Sequence, residues 1–284
     1  MNERYIFFGT PKFSAMVLEA MKMRGFLPSL IVTAPDKPKG RKMLLTPPEA
    51  KVWAEENNIP FLQPPSPKDA VLSQALGQEH WDFFVVASYG KILPKVILEI
   101  PEKGVLNIHP SLLPKLRGAS PIHQAILEED ETGVSIMLMD AEMDHGDVLA
   151  QRKFSGNFPA PFSEMEKSLA DLGADMLCEV IPRWVNGEIS PTPQNHTEAT
   201  FSPKIIKEDA HLDLNDPAEK NYRKILAFEV WPKPFFFARK NNKEIRVIVK
   251  KAELQNGELV LKSVLPEGRN EMTYEQFQAW IAVK

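Results

Sequence analysis

At 284 residues, with 43% hydrophobic and 25% charged content, the chain has the make-up of an ordinary globular protein of one large or two smaller domains. No apolar run approaches the roughly 20 residues that span a bilayer. The start, MNERYIFFGT, reads directly into a strand and not as a cleavable leader, and the single Cys178 permits neither an internal disulfide nor a multi-cysteine metal site, so a reduced, cytoplasmic protein is expected.

In chain order, Tyr5–Gly9 reads as a short apolar strand, and Met16, Val17, Ala20 and Met21 mark one face of a helix over 13–23. A second strand is expected over 26–34. It is followed by a Pro/Gly-bearing loop, APDKPKGRKMLLTP, that holds Lys37, Lys39, Arg41 and Lys42. A helix with proline in its first turn follows over 48–57. DFFVVAS, Asp82–Ser88, is a continuous apolar run, the mark of a strand buried on both faces of a parallel sheet. Further strands are expected at 104–109 and 134–139, with a helix over 121–129 between them and a long helix over 163–186. Such βα units imply a doubly wound α/β sheet, mostly parallel and Rossmann-like, with ligands at the C-terminal strand ends, over residues 1–187. Residues 188–203 are proline-bearing and without apolar periodicity, so they read as a surface linker. Beyond them, short runs at 235–238, 245–249 and 259–264 between Lys/Asn/Gly turns imply a small all-β domain over 204–284, a partly open, OB-like barrel.

Two runs carry the chemistry. NIHPSLLPKLRG, 107–118, places Asn107 and His109 at i and i+2, which sends both side chains to one side of a strand end. TGVSIMLMDAEMDHGD, 132–147, is a strand that empties into a loop with Asp140, Glu142, Asp144 and Asp147. A lone histidine is more often structural than catalytic, but a position two residues from an amide at a strand end favours chemistry. An amide, an imidazole and a carboxylate at two neighbouring strand ends can move a proton and stabilise an oxyanion. Asn107 and His109 would donate to a carbonyl oxygen as it becomes an oxyanion, and Asp144 would keep His109 charged or accept the proton released. No hydroxyl or thiol stands in a comparable setting, so the nucleophile is expected to come with the substrate.

Other chemistries fit less well. The acidic loop begins like a calcium loop, but its glycine falls at position seven and Gln151 stands where a bidentate Glu is needed. A zinc site from His109, His123 and His145 has no supporting spacing, so no metal is expected. Gly9 stands alone where a dinucleotide site needs G-x-G-x-x-G. The net charge of −4 is uneven: residues 201–284 hold 15 basic against 12 acidic residues, and 220–251 hold ten against two. That local excess suits either a polyanion or a solvated face.

These two runs, together with FFGTPKF near the start and AFEVWP near the end, resemble the methionyl-tRNA formyltransferases, within the folate-dependent formyltransferases. The resemblance implies transfer of the formyl group of 10-formyltetrahydrofolate to the α-amino group of methionyl initiator tRNA; a monomer is expected, because the tRNA must wrap two domains. It assigns catalysis to Asn107, His109 and Asp144. It places the folate near Ser88, Tyr89, Gly90, Ile92 and Leu93, near Ser111, Leu112, Leu113 and Pro114, and near Asp140 and Gly146. It gives tRNA contacts to Lys37, Lys39, Arg41 and Lys42, and to Arg239, Lys240, Lys250 and Lys251 of the C-terminal domain. The chain departs from the family in lacking a second glycine after Arg41, in Ser120, in His145 where Thr is usual, in Glu229-Val230, and in a short C-terminal domain. Two other readings stand beside it: formylation of an amino sugar nucleotide by the same trio, and a tRNA-binding protein without activity.

Overall fold

The computed structural model describes residues 3–40 and 43–282. Their elements, in chain order, begin with β1 (Tyr5–Gly9), α1 (Lys12–Met23), β2 (Leu30–Val32), β3 (Lys37–Lys39), β4 (Leu44–Thr46), α2 (Glu49–Glu56), β5 (Phe61–Leu62) and α3 (Ala70–Gly77). Next come β6 (Phe83–Ala87), α4 (Lys95–Leu98), β7 (Val105–His109), β8 (Arg117–Gly118), α5 (Pro121–Glu128), β9 (Gly133–Leu138), β10 (Val148–Lys153) and α6 (Phe162–Val185). The last are β11 (Phe201–Ser202), α7 (Ala218–Ala227), β12 (Phe235–Lys240), β13 (Lys243–Gln255), β14 (Glu258–Pro266), β15 (Met272–Thr273) and α8 (Tyr274–Ala282). Two compact units result: Met1–Pro121, Thr132–Ser155 and Glu166–Ser202 form one, and Ile122–Glu131, Gly156–Met165 and Pro203–Lys284 the other.

The first unit is built on a seven-stranded sheet of order β10-β9-β7-β6-β1-β2-β5. Every residue of β1, β6 and β7 is buried, as continuous apolar runs between two helical layers must be. Ile6, Phe8, Phe84, Val86 and Val105 pack with Trp81 and Leu76 in one cluster. Five strands are parallel, and β9 and β10 close one side antiparallel. The strand expected over 26–34 is only β2. Gly25, at φ +82, ends the helix, Phe26 N–H turns back to Met21 O, and Pro28 brings no donor.

The antiparallel step at β9 corrects one premise of the sequence reading. His109 pairs with Ser135 and Leu106 with Leu138, so the acidic loop leaves the sheet beside the beginning of β7, not beside its end. The loop has to fold back over the sheet to reach His109. The stretch 188–203, expected as a linker, is also anchored. Thr192 bridges to Val148, and β11 pairs with β8. Its bonds run through backbone and polar side chains, which leave no apolar period to read.

The second unit contains the expected antiparallel sheet, in the order β12-β13-β14-β15. Phe236, Val247, Val249, Leu261 and Val264 form its core with Ile225 of α7 and Phe277 of α8. Both helices escaped the strand-based reading, although α8 announces itself: Thr273 and Gln276 exchange backbone-to-side-chain hydrogen bonds as a capping box.

Candidate active site

Asn107 and His109 are the third and fifth residues of β7, 7% and 4% exposed, and their spacing puts them on one face of the sheet. His109 Nε2 lies 2.9 Å from Leu116 O. A carbonyl only accepts, so Nε2 carries the proton and Nδ1 is left to face Asp144, whose Oδ1 is 3.7 Å away. The second N–H of this ring exists only in the imidazolium form, and it would point at the carboxylate. Asp144 Oδ2 accepts from Gly118 N–H at 2.7 Å. Asp144 itself sits at φ +51, a conformation uncommon outside glycine, and Leu116 and Ser88 are at φ +57 and +54. Such strained positions collect where a site over-determines its backbone.

The remaining positions of interest follow the two parallel strand ends. Ser88, Tyr89 and Gly90 turn out of β6; Tyr89 is buried, and burial pushes its hydroxyl up to about 12, whereas Ile92 is 70% exposed and Leu93 buried. The turn is fixed from the residue after β1 and from the first turn of α1: Ser14 Oγ donates to Ala87 O at 2.6 Å and Thr10 Oγ1 to Tyr89 O at 3.0 Å. Ser111, Leu112, Leu113 and Pro114 follow β7, with a cis bond before Pro114. This loop hangs on Ser135, a fully buried hydroxyl that donates to Ser111 O at 2.7 Å and accepts from Leu113 N–H at 3.0 Å. Gln151 Nε2 adds bonds to Leu113 O and to Ser135 Oγ. Neither Ser135 nor Gln151 stands out in sequence as part of a site; a hydroxyl inside an apolar strand was the available signal.

In the acidic loop, Asp140 receives His145 Nδ1 at 2.6 Å and Glu142 N–H at 2.9 Å. Gly146 allows the loop to close, though through crowding and not through an unusual φ: a Cβ there would lie 2.0 Å from Leu138 O. Among the described residues no group of three or more His, Cys, Asp or Glu is placed to hold a metal ion.

The cationic positions lie elsewhere. Lys37 and Lys39 are exposed on β3, one strand of a hairpin where a loop was expected, and Lys39 pairs with Glu49 at 3.1 Å. Arg41 and Lys42 lie outside the described residues. In the second unit Arg239 is exposed on β12, while the ammonium of Lys240 donates to Trp280 O and sits over its ring. Lys250 and Lys251 are consecutive yet both exposed, because the register of β13 against β14 shifts there.

This sheet and these side chains define a class, the enzymes that pass an activated group to an acceptor bringing its own nucleophile. Residues 3–181 match the formyl transferase family and residues 204–263 its C-terminal domain. The methionyl-tRNA formyltransferase of Thermodesulfovibrio yellowstonii is 36% identical over 98% of this chain and 96% of its own. That of Chloroflexus aurantiacus is 42% identical over 83% of this chain and 76% of its own. Among solved structures, an N-formyltransferase from Helicobacter canadensis, in complex with folinic acid and dTDP-3-aminofucose, superposes with a TM-score of 0.65 at 19% identity, over 90% of this chain and 89% of its own. The chain belongs to the formyl transferase family, with the methionyl-tRNA formyltransferases. No helix among the described residues is long and apolar enough to cross a membrane.

Proposed function

We propose that this protein transfers the formyl group of 10-formyltetrahydrofolate to the α-amino group of methionyl-tRNA, in the cytoplasm, for translation initiation. The observation that carries this reading is the juxtaposition of Asn107, His109 and Asp144 in a chain 36% identical, along nearly its whole length, to a methionyl-tRNA formyltransferase. Residues 1–187 would supply the transfer site and 204–284 a tRNA-binding domain.

The site suits a reduced folate. The turn Ser88–Gly90 presents backbone polar groups, and Ile92 and Met143, 70% and 54% exposed, offer apolar surface from the loops on either side of β7. The neutral amine attacks the formyl carbon. A new C–N bond forms, the oxygen becomes an oxyanion, and the bond to the folate nitrogen then breaks, with that nitrogen taking up a proton. The Asn107 amide donates to the oxyanion, and the His109 imidazolium stabilises it by its charge, donating directly where one of its N–H groups exchanges its present partner, Leu116 O or Asp144, for the substrate oxygen. Asp144 assists removal of the proton that the amine gives up. Lys37, Lys39, Arg41, Lys42, Arg239, Lys250 and Lys251 would meet tRNA phosphates.

The test is incubation with 10-formyltetrahydrofolate and either methionyl-tRNA or a dTDP-amino sugar. Formyl-methionyl-tRNA is the expected product; formylation of the sugar alone would overturn the assignment of acceptor. Asn107→Ala and His109→Ala should each fold normally and lose on the order of 10²-fold or more in kcat. Asp144→Asn should lose activity and keep folate binding, and an active Asp144→Asn would reduce the acidic loop to a structural part.

A further inference from the structure

Gln194 lies in the proline-bearing stretch after α6, far in sequence from the site, and is 7% exposed. All four of its hydrogen-bonding positions are used. Nε2 donates to Asp144 O at 3.0 Å and to Gly146 O at 2.7 Å. Oε1 accepts from Arg117 Nε at 3.1 Å and from Arg117 Nη2 at 2.7 Å. Only one orientation of the amide satisfies both sides, since carbonyls cannot donate and a guanidinium cannot accept. Arg117 is itself buried, 4% exposed, and its Nη2 also reaches His196 Nδ1 at 2.9 Å. His196 in turn stacks on His145 of the acidic loop, with centroids 4.0 Å apart and planes within 2°.

The neighbour of Arg117 completes the frame. Gly118 N–H binds the Asp144 carboxylate, and Gly118 is pressed so close to Ser202 O that a Cβ would stand 2.6 Å from it. Arg117 N–H and Ala119 N–H are held by Thr200 O and Ser202 O. Asp144 is thus gripped twice, by its carboxylate from Gly118 and by its backbone from Gln194, and both grips are anchored by residues 192–202.

We propose that Gln194 is a positioning residue for the transfer reaction: it fixes the backbone of the acidic loop so that the Asp144 carboxylate stands against His109. Gln194 reaches neither the His109 ring nor the Asp144 carboxylate, so it acts through the loop. The proposal rests on the functional reading above only for its activity assay.

Two variants separate its halves. Gln194→Met keeps the volume and removes every hydrogen bond. Gln194→Glu keeps an acceptor for Arg117 and turns a carboxylate oxygen toward two carbonyls. Both should lower kcat on the order of 10- to 100-fold with KM for folate and tRNA nearly unchanged, the signature of a misplaced catalytic group. In an Asp144→Asn background neither should lower kcat further. Independently of activity, amide exchange at Gly118 should quicken in both variants, because its acceptor moves away. If Gln194→Met fails to fold, Gln194→Glu decides. Wild-type kcat in Gln194→Glu, losses that add to those of Asp144→Asn, or unchanged Gly118 exchange would overturn the proposal. A wild-type protein inactive toward both acceptors would remove the functional reading alone, and Gly118 exchange would still decide the role of Gln194.

Discussion

His123 offers a stability test whose sign and size follow from its surroundings. It sits on α5, partly buried, with its ring stacked on Phe162 at 4.1 Å and on Phe228 at 5.9 Å. Burial lowers its pKa from 6.5 to about 4, against a smaller upward pull from the Trp231 backbone. The folded protein then binds fewer protons at this ring than the unfolded chain does between those two values. The contribution is complete above the unfolded pKa and is lost as the pH falls through that window, levelling off below the folded one. Between about pH 7.5 and about pH 5 the linkage relation gives a loss of about 2 kcal/mol. Urea unfolding of the wild type and of His123→Phe at both pH values measures it as a difference of differences. That arithmetic cancels other titrating groups, including Glu166, whose pKa is raised by burial and whose effect runs the opposite way. Equal pH dependence in the two proteins, or an imidazole that titrates by NMR at its ordinary value, would refute the reasoning.

Ser135→Ala leaves Ser111 O and Leu113 N–H without their buried hydroxyl partner, so it should destabilise by about 1–3 kcal/mol and raise KM for the folate more than KM for tRNA. Thermal unfolding and steady-state kinetics read the two effects; a silent variant would detach this hydroxyl from the loop. Gly146→Ala drives a Cβ into Leu138 O and should abolish turnover while leaving circular dichroism near that of wild type, because the clash is local, between the loop and the last residue of β9. Lys250→Glu with Lys251→Glu should raise KM for methionyl-tRNA and lower its dependence on salt by about 0.7 to 0.9 log units per log unit of salt for each phosphate contact removed. Kinetics at two salt concentrations report this, and an unchanged tRNA term would leave the pair as solvated surface.

Much of the sheet was legible because its strands are buried on both faces. DFFVVAS has no polar alternation to blur it, and β6 runs over nearly that span. β10 was missed for the opposite reason: it lies at the edge of the sheet and alternates exposed Gln151 and Lys153 with partly buried Arg152, which leaves only Leu149 as a core signal. The candidate trio could be picked out because amide, imidazole and carboxylate fall in two compact runs. What sequence could not show was the route between them. The antiparallel placement of β9 depends on pairing between strands, and the part played by Gln194 depends on a polar stretch whose bonds to the site are tertiary. The fold was readable where burial imposes a period, and unreadable where single hydrogen bonds do the holding.

The return of the acidic loop makes its length a measure. Both of its feet are pinned, Met139 N–H to Val105 O and Leu138 N–H to Asp147 O, each at 2.8 Å. Between those feet the reach of Asp144 is a matter of counting residues. One residue more or fewer moves the chain by roughly 3.5 Å, about the whole separation between Asp144 and His109, which is 3.7 Å. Exposed loops ordinarily absorb insertions without consequence. This one works as a ruler whose gradations are peptide units, intolerant of a change in their number.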